Sequence, residues 1–521
     1  VHQVSILLRT GEVQVLEVPE PAVPEGGALI NVRASVVSSG TEQEKLTTGA
    51  QSLLTKARSR PEAVNQVIGI VKNEGLHAAA DLVRTRLNEP QPLGYSCAGV
   101  VESVGRLGGD LRPGERVAAA GGGYANHASV VAVPRNLICR VPDAVSDEAA
   151  AYATVGSIAL QGLRQADVRL GDRVLVVGLG LIGQLACQLA KAAGCVVHGV
   201  DLDVEKGKLA AHASGAQVAF TWEELEEFGP LFDAVIVTAA TESSQPMADA
   251  VAAVRDRGRV VVVGDVGLSL NRQPFYEKEV ELRFSRSYGP GRYDRSYEER
   301  GVDYPIGYVR WTVQRNMEAF LQACADGRID PTLLTTHRYP IEEAVTAYRT
   351  LSDPGELSVG VVFEYPELAA PRLVVSRPTA RGAGSDQLRV GLIGTGRFAT
   401  RVLLPACRDD PSLAVEAIAS ERGLSTERVA AKYGAQPLTV EQLLDADLDA
   451  LMIATRHDSH ARLVASGLRA GLHVYVEKPL VRVPEELPEV LDAYGASDRL
   501  CMVGFNRRHA PATAAVKEHL D

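Results

Sequence analysis

The sequence predicts an α/β protein made of one small β-rich domain and two Rossmann-type domains, each a parallel sheet covered by helices on both faces. Three observations carry this prediction. Short, almost wholly apolar strands such as "DRVLVVG", "CVVHGVD", "DAVIVTAA" and "RVVVVGD" are separated by amphipathic helices, the pattern of strands buried on both faces. The order strand, glycine turn, helix occurs twice, in "VLVVGLGLIGQLACQLA" and again in "LRVGLIGTGRFATRVLLPA". Residues 1 to about 46 and 91 to 140 read instead as short strands punctuated by Gly and Pro. With 521 residues the chain exceeds what a single core supports, so about two to four domains are expected.

The elements follow in order. Residues 1–141 open on the strand pair of "VHQVSILLRTGEVQVLEVPEP" and continue through "GALINVRASVVSSG", "AGVVESVG" and "YANHASVVAVP". Inside this β-rich region "QSLLTKARSRPEAVNQVIGIVKNEGLHAAADLVRTRL" has helical spacing broken at Gly75, a helical insertion expected at about 51–88. Residues 142–290 hold the first parallel sheet. In 291–366 come the helices "VQRNMEAFLQACADGRI" and "IEEAVTAYRTL" and the strand "SVGVVFEY". Residues 367–387, rich in Pro, Ala, Gly and Ser, read as a linker. The second sheet occupies 388–521, with "LAVEAIAS", "LDALMIATR", "HVYVEK" and "LCMVGF" as its later strands, and the chain is expected to stop inside a helix after "GFNRRHAP".

Composition removes several function classes. The net charge is −11 and no long basic run occurs, so nucleic acid is not an expected partner. No apolar run approaches the ~20 residues that span a bilayer, and the N-terminus lacks a basic region followed by an apolar core, so a cytoplasmic protein is expected. The seven cysteines, at 97, 139, 187, 195, 324, 407 and 501, stand singly without metal-ligand spacing and read as small buried hydrophobes.

The glycine turns carry the chemistry. Gly178, Gly180 and Gly183 form GxGxxG between a strand and a helix. The first glycine permits the tight turn, the second lets a pyrophosphate approach the backbone, and the third packs helix on strand; Leu181 and Ile182 begin the helix whose N-terminus faces the phosphates. The next strand ends at Asp201, whose carboxylate suits a ribose 2′-hydroxyl and repels a 2′-phosphate, so NAD is expected here, with Lys206 one turn later beside the same ribose. In the second unit Gly394, Gly396 and Ala399 form GxGxxA, with Arg397 and Phe398 at the helix start. Ser420 and Arg422 at the end of its second strand suit a 2′-phosphate, whereas Glu421 suits a free hydroxyl, so NAD or NADP is expected there.

"SSGTE", "GYSCAGVVESVG", "RPGERVAA", "YANHASVVAVP", the GxGxxG unit and "YPIEEAVTAY" make residues 1 to about 366 resemble the medium-chain dehydrogenase/reductase, or alcohol dehydrogenase-like, family. The resemblance implies a GroES-like β domain interrupted in sequence by a Rossmann domain, with 291–366 returning to the β domain. Zinc members carry Cys near Ser39 or Gly40, and Gly-His-Glu where this chain has Gly94, Tyr95 and Ser96. Their third ligand position falls in "AYATVGSIAL", which has neither Cys nor an acidic residue, and the structural-zinc cysteines are missing, so a zinc-free member is expected. Tyr95 then becomes the candidate hydrogen-bond donor to the alkoxide-like oxygen.

"GLIGTGRFA", "IATRHDSHARLVASGLRAGLHVYVEKPL" and "MVGFNRRHAP" make residues 388–521 resemble the nucleotide-binding half of the Gfo/Idh/MocA oxidoreductases of sugars and cyclitols. Glu477, Lys478 and Pro479 fit that family's EKP motif, which implies a partly buried Lys478 that assists proton transfer beside the nicotinamide. His457 and His460 invite a metal reading, but His460 is expected in the first turn of a helix capped by Asp458 or Ser459. In this family a second domain carrying the substrate pocket follows this half, so either the sequence is a fragment or that domain has been lost, and the second site is expected to be incomplete as written.

The pairing of the two families resembles bi-domain bacterial oxidoreductases associated with polysaccharide biosynthesis. It implies a nicotinamide-dependent enzyme acting on a small, sugar-derived substrate, with a homodimer as the default assembly. Two rivals stand beside it. One is a non-catalytic dinucleotide-binding scaffold or redox sensor; the other is a zinc enzyme with unusual ligands.

Overall fold

The computed structural model describes residues 1–38, 40, 42, 90–221, 224–225, 232–353, 355–366 and 387–520. The expected helical insertion at 51–88, Ser39 and the linker up to residue 386 lie outside the described residues. The chain divides into two compact units, His2–Leu16 with Val23–Leu368, and Val1, Glu17–Ala22 with Ala369–Asp521.

In the larger unit the strand pair expected at the N-terminus is β1 (His2–Leu7) and β2 (Glu12–Glu17), joined in a three-stranded sheet by β4 (Pro90–Pro92). The β domain is built on β3 (Gly27–Ser38), which pairs antiparallel with β5 (Ser96–Val104) and β7 (Val130–Pro134). β6 (Arg116–Ala120) and β8 (Ile138–Arg140) extend the sheet beyond β5. Its other side is completed from far along the chain, because β16 (Gly360–Glu364) pairs antiparallel with β3, setting Val361 opposite Val37. The last segment of this unit therefore belongs to the same sheet as the first. Gly27 and Gly99 lie where an added Cβ would stand 2.0 Å from a carbonyl oxygen of the facing strand, so β3, β5 and β7 approach closely only without side chains there.

Between these segments lies a six-stranded parallel sheet of order β11-β10-β9-β12-β13-β14. Its first strand, β9 (Arg173–Val177), runs into a turn and the helix α1 (Leu181–Ala192). β10 (Val196–Val200) then leads into α2 (Val204–Ser214), capped by the Asp203 carboxylate, which accepts from the Glu205 and Lys206 amides. β11 (Gln217–Ala219), β12 (Phe232–Val237), β13 (Val254–Val262) and β14 (Glu281–Phe284) complete the sheet. The order 3-2-1-4-5-6 reverses between β9 and β12, which opens a crevice at the carboxyl ends of those strands. The strands are apolar throughout because both faces are covered: Leu175, Val235 and Val260 face one core, Val174, Val176 and Ile236 the other.

The smaller unit repeats the plan with order β19-β18-β17-β20-β21-β22. β17 (Leu388–Ile393), β18 (Leu413–Ala419), β20 (Ala450–Ile453), β21 (His473–Glu477) and β22 (Cys501–Gly504) are the strands expected from the sequence, with β19 (Gln436–Leu438) at the edge. After β17 a π-turn at Ala399–Leu403 precedes α3 (Leu404–Asp409). Pro405 has no amide hydrogen to bond back by four residues, which accounts for the widened turn just before it.

Candidate nucleotide sites and the reaction cleft

The first glycine turn divides its work as the motif predicts. Gly178 has φ +91°, and an added Cβ would lie 2.8 Å from the Ala239 amide, so only glycine makes this turn. Around Gly180 nothing lies within 4 Å of an added Cβ, an open cradle before a helix that receives no side-chain cap from its N-cap residue, Gly180 itself. A Cβ on Gly183 would stand 2.0 Å from the Gly178 carbonyl oxygen, so α1 is pressed against the turn. The residues fit a pyrophosphate. Leu181 is buried and Ile182 half-buried behind the turn.

Asp201 follows β10 directly, and its carboxylate does more than wait for a ribose. One oxygen accepts from the Leu179 amide at 2.5 Å and the other from the Asp203 amide at 2.9 Å, so the carboxylate ties the turn to the second strand. Each oxygen keeps a lone pair for a ribose hydroxyl. Lys206 is turned to Asp203, with its ammonium 3.5 Å from the carboxylate, rather than standing unpaired at the pocket.

In the β domain, Tyr95 is half-buried and packs against the core. Its neighbour Ser96 is buried and donates to the Ala151 carbonyl at 2.5 Å, a bond that joins β5 to the short helix α4 at Asp147–Ala151. Hydroxyls in these settings are poor zinc donors, and among the described residues no three His, Cys, Asp or Glu side chains converge. Cys97, next in line, is 1% exposed in β5, and burial pushes its thiol up to about 12. Iodoacetamide at mildly alkaline pH is expected to leave the Cys97 peptide unlabelled in the folded protein and to label it in urea, as peptide mass mapping would show.

Sequence reasoning passed over a polar network beneath this region. Glu42, in "SSGTE", is 1% exposed, and its carboxylate lies 3.3 Å from His127 Nε2 and accepts from the Tyr348 hydroxyl and the Ser38 amide. His127 Nδ1 is 2.7 Å from Ser35 Oγ, which also meets the Tyr365 hydroxyl at 2.8 Å. Burial would raise the Glu42 pKa, but the charge and hydrogen bond of His127, with Tyr348 and Ser38, outweigh it and hold the carboxyl below its ordinary value. The signal available was the lone Glu after "SSGT" and the His in "YANHASVV". Tyr288, after β14, was also missed; it is 3% exposed, and its phenol is pushed up by burial, opposed by Arg292 and reinforced by Glu298, Tyr293 and Tyr95.

In the smaller unit Gly394 has φ +107° and would clash with the Ala454 carbonyl at 2.5 Å. Gly396 is nearly open, with its nearest neighbour at 3.9 Å, while Ala399 is fully buried in the packing position. Arg397 and Phe398 are exposed at the helix start. Ser420 Oγ lies among hydroxyls, 3.0 Å from Ser425 and 2.8 Å from Thr426, with Arg422 exposed two residues on.

At the end of β21, Glu477 Oε1 accepts from the Tyr475 hydroxyl at 2.7 Å and from Asn506 at 3.1 Å. The expectation of a partly buried Lys478 is corrected, because its side chain is exposed where the chain leaves β21. The capping expectation at His460 is corrected as well. Ser459 is the N-cap residue of α5 (His460–Arg469), but its hydroxyl turns back to Arg456 O and Thr455, and Asp458 makes no cap either. His460, fully buried, instead spans two loops, with Nδ1 2.7 Å from Pro479 O and Nε2 3.3 Å from Thr455 O. Both ring nitrogens face carbonyls and not a metal position.

Comparison with known proteins matches one oxidoreductase family to each half. Residues 388–505 match the sequence model of the oxidoreductase family with an NAD-binding Rossmann fold, and residues 182–300 that of the zinc-binding dehydrogenases. Inositol 2-dehydrogenase of Rhizobium meliloti is 33% identical over 135 residues, 26% of this chain and 41% of its own length. L-arabinitol 4-dehydrogenase of Aureobasidium melanogenum is 28% identical over 213 residues, 38% of this chain and 50% of its own. The chain thus spans half or less of these relatives. Among solved structures, galactitol-1-phosphate dehydrogenase of Escherichia coli superposes with a TM-score of 0.53 at 17% identity, covering 70% of this chain and all of that one. The expected fold, GroES-like β domain and Rossmann sheets, is confirmed, and so is the resemblance to two oxidoreductase families. No helix among the described residues is long and apolar enough to cross a membrane.

Proposed function

We propose that the chain is a nicotinamide-dependent oxidoreductase that moves hydride to or from a CH–OH carbon of a small polyol or sugar-derived substrate, without zinc. The observation that carries this is the open second glycine of each turn, Gly180 and Gly396, at the start of a helix with no side-chain cap. In the larger unit the backbone of Gly178, Gly180, Leu181, Ile182 and Gly183 binds the pyrophosphate. Asp201 binds the ribose of NAD, with Lys206 at its edge. When bound, the dinucleotide supplies or receives the hydride. Tyr95 donates a hydrogen bond to the substrate oxygen as negative charge builds on it.

In the smaller unit Gly394, Gly396, Arg397 and Phe398 hold the pyrophosphate of NAD or NADP, and Ser420 and Arg422 its ribose. Glu477 and Lys478 stand at the nicotinamide end, where Lys478 moves a proton to or from a substrate hydroxyl. The polyol and cyclitol dehydrogenases among the relatives support the substrate class. The match to zinc-binding dehydrogenases covers 182–300, which includes none of the positions where zinc relatives carry catalytic ligands, so it is compatible with a zinc-free site. A homodimer in the cytoplasm is the proposed setting.

The test is NADH oxidation against a panel of sugar-derived ketones and aldehydes. Turnover of any of these sinks the scaffold or redox-sensor reading, and tight NADH binding without turnover across the panel sinks the enzyme. Tyr95→Phe is expected to lower kcat on the order of a hundredfold with NADH affinity unchanged. Stoichiometric zinc in protein purified without added metal would overturn the zinc-free assignment.

A further inference from the structure

The two nucleotide sites can be compared residue by residue, because the sheet registers coincide. Val200 pairs with Val177, just before Gly178, and Ala419 pairs with Ile393, just before Gly394. Asp201 and Ser420 therefore occupy the same place, as do Leu179 and Thr395, Leu181 and Arg397, and Asp203 and Arg422.

Three of these four pairs shift the charge upward: Asp201 to Ser420, Leu181 to Arg397 and Asp203 to Arg422. In the larger unit the Asp201 carboxylate takes the Leu179 amide, and the Asp203 carboxylate caps α2. At the second site a chain of hydroxyls replaces the first carboxylate: Thr395 Oγ1 is 3.1 Å from Ser425 Oγ, which is 3.0 Å from Ser420 Oγ. Arg422 is the N-cap residue of α6 (Gly423–Tyr433) and supplies no side-chain cap, so a guanidinium stands where the larger unit has a capping carboxylate. Leu181 becomes Arg397, Glu205 becomes Leu424, Leu202 becomes Glu421 and Lys206 becomes Ser425. Over these equivalent positions the formal charge rises from −2 to +1. Arg397, Arg422 and Glu421 are all exposed.

We propose that the second Rossmann site selects the 2′-phosphorylated dinucleotide, NADP(H), while the first selects NAD(H), so that one chain draws on two separate cofactor pools. A 2′-phosphate is a dianionic acceptor. It fits hydroxyls that can turn from the Arg422 carbonyl, 3.1 Å from Ser420 Oγ, to donate, and guanidinium forks that hold no carboxylate among the described residues. Asp201 and Asp203 repel the same group. Glu421, between Ser420 and Arg422, is exposed, while its carbonyl accepts from the Ala22 amide at 3.3 Å.

This inference rests on the reading of both turns as nucleotide sites, and the test separates the two. Gly180→Asp in the full chain puts a carboxylate into an open cradle, so it repels pyrophosphate without a clash and silences the first site. Titrating this variant with NADPH and with NADH by calorimetry is expected to give at least about tenfold tighter binding of NADPH. Adding Ser420→Asp and Arg422→Asp is expected to reverse the order. NADH binding as tightly as NADPH, or a ratio unmoved by the double substitution, overturns the selectivity. Binding of neither dinucleotide overturns the second nucleotide site itself. Gly396→Asp provides the converse measurement, in which NADH is expected to bind more tightly than NADPH.

Discussion

Gly183→Val is expected to lower NADH affinity at the first site at least about fivefold, because overpacking of this size costs about 1–3 kcal/mol and the strain falls on the turn itself. The valine Cβ would stand 2.0 Å from the Gly178 carbonyl and 2.7 Å from Thr238 Oγ1. That hydroxyl donates to the Gly178 carbonyl at 2.5 Å, so helix and turn cannot separate without breaking the bond that closes them. Calorimetric titration in a Gly396→Asp background leaves the first turn as the reporting site. Gly180→Ala, in open space, should change stability by less than about 0.5 kcal/mol, so that a strain on the fold is particular to Gly183. Full-strength NADH binding by Gly183→Val would remove this turn from the nucleotide site.

The second large effect is expected in stability. Glu42→Ala leaves the buried Tyr348 hydroxyl without its acceptor and His127 without the carboxylate that faces it, and a buried polar group stranded in this way costs about 1–3 kcal/mol. Urea unfolding followed by tryptophan fluorescence would show it as a lowered midpoint; a loss under about 1 kcal/mol would mean that the network carries no net energy. The pH dependence has a definite sign. Glu42 titrates below its ordinary 4.5 in the folded protein, so its contribution is complete above that value and declines as pH falls through the folded value. The gap between wild type and Glu42→Gln should therefore narrow in acid.

Much of the fold was legible because its signals are local. A parallel strand buried on both faces must be apolar along its length, as Arg173–Val177 and Leu388–Ile393 are, and a glycine turn between strand and helix leaves few other readings. The candidate nucleotide turn was legible for the same reason, since Gly178, Gly180, Gly183 and Asp201, the residues proposed to form it, fall within 24 consecutive residues. Lys478 is singled out by motif, but its exposure is not legible there, because burial depends on what packs beyond the strand end. The capping of His460 was misjudged because Ser459 had a closer partner in Thr455, 2.6 Å away.

By itself, then, the sequence determined the two strand–turn–helix units and the burial of Cys97. Tertiary structure alone decided that Glu42 meets His127 and Tyr348, 85 and 306 positions away in the chain. It alone aligned Asp203 with Arg422 through strand register, and turned His460 toward Pro479. The physical reason is range. Backbone conformation and apolar periodicity act over a few residues and leave a pattern, whereas a buried charge finds its partner through the packing of distant segments, which no local pattern records.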